Sequence, residues 1–191
     1  VAHRGVIDLC DLEGLDPTYL RSVLMTSGFR GKVKVINNVD KGKPRHHSDM
    51  ANEMARDILV DSNTNVAMLD SIGAFIPNAE SEGDIGESFM GRRASTVAQF
   101  VRRINSYLIV KEQPGVMFIV NHVHSVIGGQ GHITAGGDTL KYIAHTRIML
   151  WQKQIVKSGD DIIGYWVGGK VEKLRYGGKG RGFQFILIPD F

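Results

Sequence analysis

The chain has 191 residues, 42% hydrophobic and 23% charged, with a formal net charge of +3. That size and balance fit one globular core domain over 1–191 and exclude a disordered or low-complexity chain. No apolar run is long enough to cross a bilayer, so no membrane partner is expected, and the single Cys10 excludes an internal disulfide and fits a reducing cytoplasm.

Residues 5–10 (GVIDLC) read as a buried strand running into the turn Asp11-Leu12-Glu13-Gly14. Asp16-Pro17 starts a helix, with Asp as its cap and Pro in the first position. Tyr19, Leu20, Val23 and Leu24 give this helix an apolar face, and Gly28 ends it. A short strand is predicted over 33–36 and a polar loop over 37–47. Ser48 is placed to cap a helix in which Ala51, Met54, Ala55, Ile58 and Leu59 share one side. The apolar run 66–69 (VAML) then stops at Asp70-Ser71, as a buried parallel strand does when its end carries a carboxylate into a ligand site.

An acidic, glycine-containing segment follows, with Glu80, Glu82, Asp84 and Glu87, then Phe89 and Met90, two large apolar residues in polar surroundings. Arg92 and Arg93 open the longest helix, predicted over 94–109, with Val97, Val101, Ile104 and Leu108 inward and Arg102 and Arg103 off that face. Residues 116–120 (VMFIV) read as another apolar strand, ending at Asn121-His122. The stretch 123–137 carries glycines at 128, 129, 131, 136 and 137, a density that disfavours a fixed conformation and suggests ordering by a ligand. A short helix over 138–145 and strands over 146–151, 165–174 and 183–188 complete the chain. The order predicts an α/β fold, a mostly parallel sheet flanked by helices with an antiparallel C-terminal extension.

In such a sheet ligands bind beyond the carboxyl ends of the strands, where Asp11/Glu13, Asp70/Ser71 and Asn121/His122 fall. An Asp after a buried strand, beside Ser, is the Walker B arrangement, whose carboxylate holds Mg²⁺ through water beside nucleotide phosphates. A Glu on the neighbouring strand end can polarise an attacking water, and an Asn-His pair on a third can sense the γ-phosphate. Asp11 reads equally well as a turn cap. No G-x-x-x-x-G-K-[ST] phosphate loop occurs in the chain, and such a unit would be expected ahead of Val1. Adjacent His46 and His47 diverge too much for a metal pair.

With these residues in place, the chain resembles the ATPase core of RecA-family recombinases from Gly5 to about Phe185. VAMLDSIGAFIP resembles the Walker B strand and its continuation, and EGDIGESFMGRR the first DNA-binding loop. VMFIVNHVHSVIGGQGHITAGG resembles the sensor strand with the second DNA-binding loop, DLEGLDP the motif of the catalytic Glu, and KVEKLRY the strand whose basic residues reach a neighbouring subunit's ATP. The resemblance implies ATP and Mg²⁺ as cofactors, with Glu13, Asp70, Lys173 and Arg175 catalytic, Asp70 on the metal, and Asp70, Ser71, Asn121 and His122 around the nucleotide. It implies that Phe89, Met90, Gly91, Arg92, Arg93, Gly128, Gly129, Gly136 and Gly137 bind nucleic acid. The partners implied are single-stranded DNA, homologous duplex DNA, further copies in a filament, and a separate chain as one source of the phosphate loop, in the cytoplasm of a bacterial or phage-infected cell. Asn121-His122 replaces the usual Asn-Gln, as in phage UvsX-type recombinases, and Lys173 with Arg175 replaces a pair of lysines. The rival expectations are a non-catalytic DNA-binding or partner module of a split or truncated recombinase, and a RecA-fold helicase-type motor.

Overall fold

In a computed structural model, which describes residues 6–40, 42–60, 64–84, 91–110, 115–125, 132–178 and 180–189, the first strand becomes the centre of a sheet. That strand, β1 (Val6–Asp11), is followed by α1 (Pro17–Thr26), β2 (Lys32–Ile36), a small hairpin of β3 (Val39–Asp40) and β4 (Lys43–Pro44), and α2 (His47–Val60). Then come β5 (Thr64–Asp70), α3 (Asn78–Glu82), α4 (Arg92–Val110), β6 (Val116–Ile119), a second small hairpin of β7 (Val123–Ser125) and β8 (His132–Thr134), and α5 (Asp138–Ile143). The chain ends in β9 (Thr146–Ser158), β10 (Asp161–Leu174) and β11 (Gly182–Leu187). It divides after Leu140 into two compact units.

In the first unit four strands run parallel in the order β2-β1-β5-β6. The apolar residues of α2 recur at Met50, Ala51, Met54, Ala55 and Ile58, one helical face, and all are buried where the helix packs on β1, β5 and β2. Helix α4 lies against α2 and buries Val97, Ala98, Phe100, Val101 and Ile104. Each fully buried Ile or Phe of this core, such as Ile58 or Phe75, contributes roughly 1.5–3 kcal/mol relative to exposure. The sheet's two edges differ: β2 carries Lys32 and Lys34, and Lys34 pairs with Glu53 at 2.8 Å and Asp57 at 2.5 Å. On the β6 edge Val116 and Phe118 are half exposed.

The second unit is the antiparallel sheet β11-β10-β9. Successive glycines of β10 seat rings on opposite faces, Trp151 over Gly168 and Phe183 over Gly169, where any Cβ would collide with them.

Several local expectations shift. Helix α1 is capped as predicted, Asp16 accepting from Thr18 N–H at 2.7 Å, yet none of its residues is buried. Helix α2 starts before Ser48, its first turn closing on the His46 carbonyl, and Leu59 points to solvent. The loops 37–47 and 123–137 each contain a short hairpin. The strand predicted over 146–151 continues to Ser158, because its polar continuation pairs with β10 regardless of hydropathy. The apolar run predicted over 116–120 forms β6, which among the described residues lies at one edge of the sheet.

Candidate functional site

The parallel strands end at a common rim. Asp11 and Asp70 face each other in the β1–β5 register. The rim is stitched by Leu12 N–H to Asp70 O at 2.7 Å and by Ile72 N–H to Val120 O at 3.1 Å. It lies where the chain leaves β1 towards one edge and β5 towards the other, the switch point at which α/β sheets open a crevice.

Asp11 is a turn cap. Its Oδ1 accepts from the N–H of Glu13 at 3.1 Å and Gly14 at 2.9 Å, and its Oδ2 from Leu15 N–H at 2.7 Å. This Asx turn, with Gly14 at φ +87°, reverses the chain and lifts Glu13 over the rim. There the Ser71 hydroxyl donates to Glu13 Oε1, and His122 Nε2–H donates to the same oxygen at 3.2 Å. The Ser71 bond, then the His122 bond, hold the Glu13 carboxyl below its ordinary range. Gly73 is what admits the imidazole, since a Cβ there would come within 2.7 Å of His122 Cδ2.

Asp70 behaves oppositely. Burial, then the negative charges of Glu13 and Asp11, push its carboxyl up, with His122 opposing. Asp11 and Glu13, whose charges reach Asp70, are themselves engaged by donors of the chain. Asn121, on the β6 side, gives its Nδ2–H to the Ala135 carbonyl at 2.8 Å, and its buried Oδ1 has no hydrogen-bond partner among the described residues.

Beyond the rim, Gly91 adopts φ +78° and its carbonyl receives Ser95 N–H at 3.0 Å, closing the first turn of α4. Arg92 lines a cavity of about 250 Å³ with Ser48, Asn78, Ser95 and Thr96. Arg93 is anchored, its guanidinium reaching Gly73 O at 3.4 Å and Glu80 Oε1 at 3.1 Å. Phe89, Met90, Gly128 and Gly129 lie outside the described residues. Gly136 and Gly137 both have positive φ, and Gly136 is buried.

In the second unit the Lys173 ammonium caps the end of α5, donating to Lys141 O at 2.8 Å and Tyr142 O at 2.7 Å. Arg175 Nη1 donates to His145 Nε2 at 2.9 Å. Among the described residues these bonds use two of the three Lys173 N–H groups and one of the five of Arg175.

The roles of two residues, His47 and Glu80, escaped the sequence reading. His47 accepts Ile76 N–H on Nδ1 at 2.9 Å, bonds the Ala74 backbone and meets Phe75 edge-on, so it pins the segment after β5. Burial lowers its basicity. Glu80 fixes Arg93. A His and a Glu in polar stretches carry no periodic signal that could have marked either.

The model of the RecA N-terminal domain matches residues 5–180. "Protein RecA" of Haemophilus ducreyi is 29% identical over 177 residues, covering 91% of this chain and 44% of the relative. "Protein RecA" of Methylococcus capsulatus is 31% identical over 189 residues, covering 96% and 51%. The "Mitochondrial DNA repair protein recA homolog" of Dictyostelium discoideum is 32% identical over 130 residues, covering 66% and 28%. The chain spans about half the length of the bacterial relatives it matches.

Proposed function

We propose, from the premise that this chain belongs to the RecA family, that it is the ATPase core of a DNA recombination and repair protein. The observation that carries the reading is the meeting of Glu13, Asp70-Ser71 and His122 at the switch point of the sheet. In this reading the intact protein binds ATP and Mg²⁺, hydrolyses ATP in the presence of DNA, coats single-stranded DNA as a filament in the cytoplasm, and pairs it with homologous duplex.

The donor set suits magnesium. Among the described residues no three His, Cys, Asp or Glu side chains gather as a protein cage. Asp70 offers one carboxylate under repulsion from Asp11 and Glu13, which a divalent cation would relieve. Mg²⁺ commonly keeps several waters and takes one or two carboxylates together with phosphate oxygens. When bound, Mg²⁺–ATP supplies the phosphoryl group and the charge neutralisation that the reaction needs. Asp70 would hold the hydrated metal, with Ser71 beside it. Glu13 would orient the attacking water once released from Ser71 and His122, because a carboxylate oxygen shared between two donors is a weak base. His122, on the sensor strand, would exchange Glu13 for the γ-phosphate, and Asn121 would carry that shift to Ala135. Lys173 and Arg175 would use their spare N–H groups on the nucleotide of a neighbouring copy.

On the DNA side, Met90 and Phe89 would wedge between bases, which any sequence permits. Arg92, with Gly91, Gly128, Gly129 and the neighbouring amides, would hold phosphates, while Arg93 braces the segment. No helix among the described residues is long and apolar enough to cross a membrane.

The test is a salt titration of single-stranded DNA binding by this chain, with and without ATP. Binding should weaken with salt, and Arg92→Ala should flatten the log–log slope by about 0.7, one phosphate's worth on a single strand. Absence of binding at low salt would overturn the reading. Binding that ATP never modulates, even when a phosphate-loop unit is supplied as a second chain, would favour the non-catalytic module.

A further inference from the structure

Beyond the nucleic-acid contact expected of Gly136 and Gly137, their surroundings show a tight fit in the packing. Gly136 is buried at φ +84°, and a Cβ there would lie 2.8 Å from Leu140 Cδ1, 2.9 Å from Ile72 Cγ2 and 3.0 Å from Val97 Cγ1. Gly137, at φ +70°, would place a Cβ 3.2 Å from that of Ala94. Ile72 and Val97 are both fully buried. One residue earlier, the Ala135 carbonyl takes the Asn121 Nδ2–H at 2.8 Å.

Four segments therefore meet within one side-chain layer: the exit of β5 (Ile72), the exit of β6 (Asn121), the first turns of α4 (Ala94, Val97) and the entry to α5 (Ala135, Gly136, Leu140). Two of them adjoin the segments read as DNA-binding, since α4 follows Gly91 and Ala135 follows Thr134. The other two carry the nucleotide-side residues. Interiors this close-packed do not deform smoothly, so a displacement of one member is passed to the rest.

We propose that Ala135–Gly137 is an anchor that fixes the root of the second DNA-binding segment to the head of α4, the root of the first, and that Asn121 and Gly136 are its positioning residues. The two segments are thereby set together by the exits of β5 and β6. What they hold rests on the function proposed above; the anchor itself rests only on packing.

The test is amide hydrogen exchange on the whole 191-residue chain, comparing the parent with Gly136→Ala, Asn121→Ala and Asn121→Asp. Each variant should speed exchange roughly tenfold or more in peptides covering 71–75 and 94–98, as well as 132–140, and leave β2 unchanged. Asn121→Asp keeps the volume but loses the donor, so it should match Asn121→Ala; if it matches the parent, the tether is not a hydrogen bond and the proposal fails. Changes confined to 132–140, or spread evenly over the sheet, also overturn it. Should Gly136→Ala not fold, the two Asn121 variants decide. With single-stranded DNA added, the parent should gain protection at both 94–98 and 132–137, and Asn121→Ala should protect them unequally. No DNA-dependent protection in the parent would defeat the nucleic-acid reading while leaving the anchor to stand or fall on the free-protein data.

Discussion

Replacing Asp11 tests whether the turn that presents Glu13 is held by one carboxylate. Its two oxygens take three backbone N–H groups, at 3.1, 2.9 and 2.7 Å. A hydrogen bond to a charged acceptor contributes about 1.5–3 kcal/mol, and less where water can replace the partner. Glu13 and Gly14 are exposed and would rehydrate, while Leu15 is only partly accessible. Asp11→Ala should therefore cost about 2–4 kcal/mol, not the full sum of three bonds. For a chain of this length that lowers the unfolding midpoint by roughly 5–15 °C. Asp11→Asn is the discriminating control. With its oxygen at the Oδ1 position it keeps Glu13 and Gly14 but sets an NH₂ against the Leu15 N–H; flipped, it keeps only Leu15. It should cost about half as much as alanine. Urea unfolding followed by far-ultraviolet circular dichroism reads α1, α2 and α4, all in the unit that contains Asp11. A loss below about 0.5 kcal/mol for Asp11→Ala, or asparagine as harmful as alanine, would refute the argument.

Three further outcomes follow from the same rim. Ser71→Ala should raise the Glu13 carboxyl towards its ordinary 4.5, read by carbon NMR titration. Because the folded value is depressed, ionised Glu13 supports the fold above the ordinary range and that support fades as pH falls through the folded value, so the variant should begin to lose stability at higher pH; an unmoved titration would dismiss the Ser71 bond. Asp70 has the opposite sign: its raised folded value means the fold resists its charge, a cost absent well below 3.8 and complete once pH exceeds the folded value. Asp70→Asn should then gain about 0.5–1 kcal/mol at pH 7, or about 1–4 °C by calorimetry; a lower midpoint would contradict the crowding of carboxylates. Cys10 is fully buried and its thiol is pushed up to about 12, first by burial and then by Asp11. Iodoacetamide at pH 8 should label it only in denaturant, and native labelling would show that β1 opens.

Periodicity made the helical and sheet layers legible. Residues 51, 54, 55 and 58 of α2 and 97, 101 and 104 of α4 mark their buried faces in the sequence itself, whereas Met50 is buried without having been marked and Leu59 and Leu108, which share the pattern, are not fully buried. Strand ends were legible too, because a carboxylate after an apolar run is costly without a purpose, and Asp70 sits where that reasoning put it. The sharing of Glu13 between Ser71 and His122 was not legible: it depends on how far the Asp11 turn lifts the chain, a matter of ångströms. Nor was the role of Gly136. A glycine in a glycine-rich run looks like freedom, and only the neighbours Ile72, Val97 and Leu140 show it as a tight fit. The length of β9 was hidden because its second half, Gln152 to Ser158, owes its conformation to a partner strand.

The unlike margins of the parallel sheet give the molecule a direction of growth. A newcomer laid along β2 would have to strip water from Lys32 and dislodge Lys34 from its two acids. Along β6 it would meet Val116 and Phe118, already half out of water, on a strand (Val116–Ile119) that itself carries no charged residue. Any polypeptide that enlarges this sheet is thus steered to the flank next to Asn121 and His122.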